Sequence, residues 1–563
     1  MPPSYSTKPY PIYAGRLGYV EGLTISNGAT SQVLCHYLGG IPYALPPTGP
    51  FRFRRPRALP AQYKLGTKAN PARFTGGTGV CPQPGFRAPP DKSLWDEDCL
   101  QLNIWTPAGK SPAGGWPVFF YIHGGFLQWG NANTPATAHA ELLGETAFKC
   151  MIVMPAYRLN VFGFIAGREL EAEAQIGGES AGNMGFWDQR LALEWTARHI
   201  ANFGGNAQNI TVGGYSAGMS IHRKDFTVRC SQDTGSHSTF QQLAHDLFLP
   251  KESSIIKRAI MWSNGPGVQP KFLDEHQKQF DELLTALNIP LNLSPSEKLS
   301  RLRATSADAI VAVQDSLAKS EFRAISDGSF ISNTLIRNIN DGTFARRVLE
   351  RGVKILNGEC RDEHYLYGAW RTPANSFEAV YYRLVADYPE ETVKMLIPIY
   401  FPNRDLPAWA KDWPDAFGKV YADMQVHASE RGFADRLEKG GLVVGRDLLR
   451  YRIDWRAKCV DTALPREWKV THSSDFPIWF WGLGMGDGLT PDEKIILRDV
   501  NAFFAAFVKG DDVQWSELGS KWLHRLNGRG ALDMWKDERW EDGITVWNAV
   551  NGDEKPPMPA SHL

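Results

Sequence analysis

The sequence predicts an α/β protein whose mostly parallel central sheet is covered by helices on both faces. Four short apolar runs, rich in β-branched and aromatic residues, have the composition of strands: 102–105, 118–122, 151–154 and 210–212. Between the last two, Trp187, Leu191 and Trp195 recur every four residues, which places them on one face of a helix. Strands that alternate with helices favour a parallel sheet that is buried on both sides.

A single domain over residues 1–563 is the expected organisation. Typical domain lengths would divide the chain into about three or four parts. However, no Gly/Ser/Pro-rich linker, charge block or internal repeat divides it, and its 53 glycines and 37 prolines are spread along the chain. Near the C-terminus, Thr490, Pro491 and Glu493 form a helix start with a capping box. We expect this helix to be the last element of the domain.

The composition argues against nucleic-acid binding and against a membrane span. The chain has 61 basic and 61 acidic side chains, hence no net charge, and no window reaches the roughly 20 consecutive apolar residues that cross a bilayer. The first residues lack the pattern of a secretory signal, so a cytoplasmic location is expected. The terminal Ser561-His562-Leu563 is a variant of the Ser-Lys-Leu peroxisomal address, which makes the peroxisome the alternative.

The cysteines indicate neither a disulfide scaffold nor a metal site. Seven cysteines in 563 residues is a low density, and no Cys/His cluster has zinc spacing. Cys81 and Cys99 are close enough in sequence to close a loop, but a reducing compartment would keep them as thiols, and both states remain open. We therefore expect no metal and no cofactor.

A serine in a tight turn follows the run 210–212 directly. The pentapeptide Gly214-Tyr215-Ser216-Ala217-Gly218 has the GxSxG pattern of a nucleophile on a strand-to-helix turn. Such a turn needs small neighbours because its backbone is strained and other elements approach it closely. The preceding strand makes Ser216 a candidate nucleophile, although the pattern alone also describes ordinary glycine turns.

Two further glycines stand where an acyl-transfer serine needs backbone donors. His123-Gly124-Gly125 follows the strand-like run 118–122, and glycines at such a position allow two amides to point at one oxygen. With Ala217 as the third donor, the sequence predicts an oxyanion hole formed by Gly124, Gly125 and Ala217. An ordinary turn remains the alternative interpretation of the HGG segment.

Longer blocks around these residues resemble a known family. Residues 203–218, from Phe203-Gly204-Gly205 to the serine turn, resemble the serine signature of the type-B carboxylesterase/cholinesterase family of α/β-hydrolases. Residues 97–107 resemble its second signature, with Gln101 departing from the usual residue. The resemblance extends over about residues 15–545 and implies the α/β-hydrolase fold. It also implies a serine carboxylic-ester hydrolase that acts through an acyl-enzyme on small or medium apolar esters.

The same resemblance implies a catalytic triad of Ser216, Glu363 and His472. Residues 355–363 resemble the block that carries the family's acid, with Asp362 as the alternative, and His364 stands where the family usually has Gly. Residues 470–477 resemble its histidine loop. In the mechanism so implied, neutral His472 takes the Ser216 proton, and Glu363 orients the imidazole and stabilises its cation.

Other positions have less certain roles. Ser263 resembles a buried serine near the triad, and four aromatic residues flank the expected oxyanion hole and base as candidates for an apolar pocket: Phe126, Trp129, Trp479 and Trp481. The partner is expected to be a small-molecule ester, with the oligomeric state undetermined. Two alternative functions remain: a lipase or sterol-ester hydrolase with a deeper acyl tunnel, and a catalytically dead cholinesterase-like binding protein.

Residues 219–235 are a candidate non-native insertion. Family members continue from the serine turn directly into a helix, whereas the helical pattern here starts at Ser236. The codons for Gly218-Met219-Ser220 allow GTATGT, and those for Thr234-Gly235 allow ACAGG, so the 17 residues fit an unspliced in-frame intron. Retained, the segment is expected to pull the helix N-terminus away from Ser216. A genuine surface insertion is the alternative.

Overall fold

The computed structural model describes residues 4–85, 89–215, 219–221, 228–230, 235–483 and 485–552, and it confirms the predicted α/β architecture. The strands are β1 (Tyr5–Tyr13), β2 (Tyr19–Asn27), β3 (Val33–Pro42), β4 (Ala44–Leu45), β5 (Arg57–Ala58), β6 (Ala72–Arg73), β7 (Gln101–Pro107), β8 (Trp116–Ile122), β9 (Met151–Pro155), β10 (Gly205–Tyr215), β11 (Met219–Ile221), β12 (Val228–Cys230), β13 (Ile256–Trp262), β14 (Lys354–Cys360), β15 (Leu448–Ile453), β16 (Trp522–Leu526) and β17 (Leu532–Lys536).

The α-helices connect and cover these strands. They are α1 (Ala140–Glu145), α2 (Asn160–Phe164), α3 (Arg168–Ile176), α4 (Met184–His199), α5 (Gly235–Phe248), α6 (Leu273–Ala286), α7 (Pro295–Ala304), α8 (Ala307–Gln314), α9 (Leu335–Asn340), α10 (Thr343–Arg351), α11 (His364–Gly368), α12 (Phe377–Asp387), α13 (Glu390–Tyr400), α14 (Trp413–Ala422), α15 (Ala428–Lys439), α16 (Phe476–Trp479), α17 (Pro491–Lys509) and α18 (Trp540–Asn551).

One large mixed sheet organises the described part of the chain. Its strand order is β1-β2-β3-β7-β9-β8-β10-β13-β14-β15-β16-β17, with β6 beside β2. The strands from β9 to β16 in this order run parallel to one another, and antiparallel strands lie at both edges. The carboxyl ends of the parallel strands therefore meet at one edge of the sheet.

The two faces of the sheet are buried in separate cores. In β8, Val118 and Phe120 belong to one apolar cluster, whereas Phe119 and Tyr121 belong to the other. Successive side chains of a strand point to opposite faces, so a strand with both sets buried must be covered on both sides. This burial explains why the run at 118–122 is continuously apolar rather than alternating.

The predicted elements are found near their expected bounds, with one error. The four apolar runs lie within β7, β8, β9 and β10, and α17 begins with the predicted capping box of Thr490 and Glu493. The expectation that α17 is the last element was wrong, because β16, β17 and α18 follow it. The last strand pair is at the sheet edge and buries little beyond Leu523 and Leu526, so it carried no apolar signal.

Helix α5 starts at Gly235, one residue before the predicted position, and remains packed against the sheet. A Cβ on Gly235 would lie 2.3 Å from the Tyr215 carbonyl oxygen and 2.4 Å from that of Ile122. Residues 215 and 235 are therefore neighbours in space, and the helix is not pulled away from β10. Strands β11 and β12 pair only with each other among the described residues, outside the main sheet. Whether 219–235 belongs in the active protein stays a prediction.

Six cysteines are buried thiols: Cys35, Cys81, Cys99, Cys150, Cys360 and Cys459. Among them, a hydrogen bond with Cys81, together with burial, raises the pKa of Cys99 well above its ordinary value. The residues of the described ranges contain no group of three or more His, Cys, Asp or Glu side chains arranged to hold a metal ion. A search of those same ranges for a helix long and apolar enough to span a bilayer finds none.

Candidate active site

The predicted site residues follow strands that are adjacent in the sheet. Gly214 of β10 is paired in register with Ile122 of β8, and Tyr215 is paired with Trp262 of β13. Gly124 and Gly125 follow β8 in the sequence, Ser216 follows β10, and Ser263 follows β13. Ser216 and Ala217 themselves lie outside the described residues. The sheet register therefore brings the strand ends that lead to the predicted oxyanion hole, to Ser216 and to Ser263 to one edge of the sheet.

Glu363 and His472 form a buried pair. The Nδ1 atom of His472 lies 2.5 Å from Oε2 of Glu363, and both side chains are fully buried. The other carboxylate oxygen, Oε1, accepts the backbone N–H of Cys360 at 2.6 Å. Because both oxygens are engaged, the carboxylate has one orientation. An imidazole that donates from Nδ1 to a carboxylate presents its lone pair at Nε2, which is the arrangement of a general base.

The structure separates the roles of the two candidate acids. Asp362 accepts the N–H of Val470 at 3.1 Å through its carboxylate and donates its own N–H to the Val470 carbonyl at 2.9 Å. It thus holds the backbone two residues before His472, whereas Glu363 contacts the imidazole. His364 begins α11 without a left-handed conformation, so a side chain is accommodated where the family usually has Gly.

The HGG segment requires its second glycine. Gly125 has a φ of +123°, and a Cβ there would lie 1.4 Å from the Trp129 carbonyl oxygen. The first residue of the segment, His123, stacks on Tyr157, whose hydroxyl donates to the His123 carbonyl at 2.7 Å. These contacts fix the path of the loop from β8, so the predicted donors Gly124 and Gly125 lie in a rigid segment.

Aromatic side chains form a wall behind this loop. The ring of Phe126 lies between those of Trp370, at 5.1 Å, and Tyr421, at 6.2 Å, and Trp129 stacks on Trp370. Tyr367 links the wall to the base, since its ring is 4.6 Å from that of His472. The sequence pointed to Phe126 and Trp129 but not to Trp370 and Tyr421, which complete the wall.

Two aromatic residues suggested for the pocket lie elsewhere. Trp479 packs in the core beside Tyr451 and Trp262, and its indole N–H donates to Asp475 at 2.8 Å. Trp481 belongs to the same apolar cluster. Both thus lie in a different apolar cluster from Phe126 and Trp129, and a pocket role for Trp479 and Trp481 stays a prediction.

Tyr215 is a site residue whose contacts the sequence did not predict. Its hydroxyl accepts the N–H of Ser473 at 3.1 Å and donates to the Asp475 carboxylate, and Ser263 Oγ is 3.4 Å away. Burial raises the pKa of Asp475 above its usual value and that of the Tyr215 hydroxyl far above its own. The residue before the predicted nucleophile is thus bonded to the loop of the predicted base.

A second buried Glu–His pair lies nearby and has a different environment. Glu359 of β14 contacts His427 Nδ1 at 2.6 Å, and it also accepts from Arg431 at 3.0 Å and from Arg452. These cations hold the pKa of Glu359 well below its usual range despite its burial. Because Glu359 is shared among three partners, we assign it to a structural ion network. Glu363, in contrast, contacts the loop that has the family's histidine pattern.

A parallel sheet whose carboxyl edge collects a glycine turn, a buried Glu–His pair and the strand leading to a GxSxG serine defines an α/β-hydrolase. The chain matches the model of the carboxylesterase family over residues 10–532, and it belongs to that family. It shares the fold of EstA from Aspergillus niger, a crystal structure with a TM-score of 0.72 and 19% identity that covers 97% of this chain and 99% of that one.

Relatives across kingdoms resemble nearly the whole chain. A carboxylic ester hydrolase of Gibberella moniliformis is 49% identical over 97% of both chains. An uncharacterized esterase/lipase of Schizosaccharomyces pombe is 37% identical, also over 97% of both chains. An acetylcholinesterase of Bungarus fasciatus is 27% identical over 90% of this chain and 79% of the other.

Proposed function

We propose that the protein is a serine carboxylic-ester hydrolase with the triad Ser216, Glu363 and His472. The observation that carries the proposal is the buried 2.5 Å contact between His472 Nδ1 and Glu363 Oε2. It lies at the sheet edge reached by β10, the strand that leads into Ser216. The name of the 49% identical relative, a carboxylic ester hydrolase, supports the same reaction class.

The proposed mechanism has two half-reactions. His472 takes the proton of Ser216 as the serine oxygen attacks the ester carbonyl, and it returns that proton to the leaving alkoxide. Backbone N–H groups of Gly124, Gly125 and Ala217 stabilise the oxyanion. Water, deprotonated by His472, then attacks the acyl carbon, the bond to the Ser216 oxygen breaks, and His472 returns the proton to that oxygen as the acid leaves. Glu363, held by the Cys360 N–H, keeps the imidazole oriented and stabilises its cation.

The proposed substrates are small or medium apolar esters. Support for this substrate class comes from the buried aromatic cluster that follows the proposed oxyanion loop, which contains Phe126, Trp129, Trp370 and Tyr421. An apolar pocket beside these rings would bind acyl or alcohol groups without requiring a charge. A series of p-nitrophenyl esters of increasing chain length measures the preference, and a maximum at long chains would favour a lipase instead.

Covalent labelling tests the proposal directly. A fluorophosphonate probe is expected to modify Ser216, because the reaction requires a serine activated by a base. Mass spectrometry locates the adduct. Two proteins are assayed: the full chain of 563 residues and a shortened chain that lacks residues 219–235. Absence of labelling and of ester hydrolysis in both forms would refute the proposal and favour a binding protein.

The acid is assigned by comparing two isosteric changes. Glu363→Gln is expected to lower kcat by about 10²- to 10⁴-fold, because the amide no longer stabilises the imidazolium and disturbs its tautomer. Asp362→Asn keeps an oxygen for the Val470 N–H and is expected to lose less than about tenfold. Full activity of Glu363→Gln together with inactivity of Asp362→Asn would move the acid to Asp362.

The pH dependence follows from the need for a neutral base. We expect kcat/KM to fall as the pH is lowered and His472 becomes protonated, because a protonated imidazole cannot accept the serine proton. No metal takes part in the proposed reaction, so the same rates are expected in EDTA. Loss of activity in EDTA that a divalent ion restores would contradict this mechanism.

A further inference from the structure

Tyr215 joins the end of β10 to the loop that carries His472. Its side chain is fully buried, and its hydroxyl accepts the N–H of Ser473 and donates to Asp475. These partners stand one and three residues beyond His472. One hydroxyl thus connects the residue before the proposed nucleophile with the backbone beside the proposed base.

The loop needs such a contact at Ser473. This residue has a φ of +71°, a left-handed conformation that is unfavourable for a residue with a Cβ. The turn itself uses neighbouring groups, since Ser474 donates its N–H to Thr471 and Phe476 donates to the Ser473 carbonyl. The buried N–H of Ser473 is satisfied by Tyr215, which stabilises the strained residue next to the imidazole.

Asp475 fixes the direction of the Tyr215 hydroxyl. Its carboxylate is fully buried and accepts from Tyr215 on one oxygen and from Trp479 on the other. With its proton directed at Asp475, the Tyr215 oxygen presents a lone pair toward the Ser473 N–H. The series Trp479, Asp475, Tyr215 and Ser473 is therefore a directional network of hydrogen bonds.

We propose that Tyr215 is a positioning residue that sets the imidazole of His472 by holding Ser473 in its left-handed conformation. The inference rests on the proposed function for its effect on rate, because a misplaced base slows proton transfer. A displacement of about 1 Å at a reacting group costs on the order of 100-fold in rate. The side chains of this network are buried, so the effect is expected in kcat rather than in KM.

The test is a double-mutant cycle between residues 215 and 473. Tyr215→Phe is expected to lower kcat by about 100-fold and to change KM by less than about threefold. Ser473→Gly alone is expected to change kcat little. In the Tyr215→Phe background, Ser473→Gly is expected to raise kcat about tenfold, because glycine adopts the left-handed conformation without the hydrogen bond to Tyr215. These rates are measured in whichever of the full and shortened chains is more active.

A matched control removes another buried tyrosine hydroxyl in the same core. The hydroxyl of Tyr451 has no hydrogen-bond partner within the described residues, and its ring packs on Trp479. Tyr451→Phe is therefore expected to retain kcat within about threefold. If Tyr451→Phe lost as much as Tyr215→Phe, or if Tyr215→Phe kept full kcat, the positioning role would be overturned.

Denaturant unfolding of the same four cycle members separates this inference from the proposed function. If Tyr215 stabilises the left-handed conformation of Ser473, Tyr215→Phe lowers the free energy of unfolding less when residue 473 is already glycine. Additive effects on both unfolding and kcat would overturn the inference. Coupled unfolding in a chain that neither hydrolyses esters nor reacts with fluorophosphonate would refute the proposed function and leave the loop contact standing.

Discussion

Replacing Ser216 or His472 by alanine is expected to lower kcat by about 10⁴- to 10⁶-fold, and the double variant to be scarcely worse than either. The proposed nucleophile and base act as one unit, so removal of either leaves only the stabilisation from the oxyanion donors. Steady-state hydrolysis of a p-nitrophenyl ester measures the loss. The parent for comparison is the more active of the full and shortened chains.

The second Glu–His pair supplies the control for this prediction. His427→Asn removes an imidazole bonded to a buried glutamate, as His472→Ala does, and asparagine can still donate to Glu359. We expect kcat to stay within about threefold of the parent, because Glu359 and His427 belong to an ion network with Arg431 and Arg452 and not to the proposed triad. Inactivity of His427→Asn in a folded protein, with an active His472→Ala, would move the base to His427.

The local pattern of apolar residues was sufficient to predict the strands that lead to the site. The runs in β8 and β10 are buried on both faces, so their apolar residues are contiguous and their ends were visible in the sequence. The edge strands β16 and β17 expose much of their surface, and tertiary pairing rather than their own pattern sets them in the sheet. Prediction therefore succeeded best where burial was complete.

Only those site residues were predicted that lie in segments resembling the family's sequence signatures. Glu363 and His472 each stand in such a block, and the structure brings their side chains together. Tyr215 and Ser473 are 258 residues apart, and nothing in either segment indicates that a hydroxyl of one binds the backbone of the other. The same limit applies to Trp479, whose direction depends on how α16 turns after the loop.

Removal of residues 219–235 is expected to raise kcat/KM by at least about 100-fold. The basis is the contact between the two sides of the segment: a Cβ on Gly214 would lie 2.0 Å from the Gly235 carbonyl oxygen, and one on Gly235 would lie 2.3 Å from the Tyr215 carbonyl oxygen. In the shortened chain Gly218 is joined to Ser236, so it can occupy the place of Gly235. Only Ala217 then separates Ser216 from the start of α5.

The gain has two physical sources. A short covalent connection restricts Ser216 to the strand-to-helix turn, and misplacement of a reacting group by about 1 Å already costs about 100-fold. The same connection brings the Ala217 N–H to the helix N-terminus, whose partial positive charge favours the oxyanion. Parallel expression of both chains, with kcat/KM and the rate of fluorophosphonate labelling, measures the difference.

Gly218→Ala in the shortened chain is the matched control. If Gly218 takes the position of Gly235, an added Cβ meets the backbone oxygens of Tyr215 and Ile122, which cannot retreat as a flexible side chain could. The substitution is therefore expected to abolish most of the gain, whereas Gly235→Ala in the full chain changes an already low rate little. Equal esterase activity of the full and shortened chains, or transcripts that all contain the segment, would show instead that 219–235 is a genuine surface insertion.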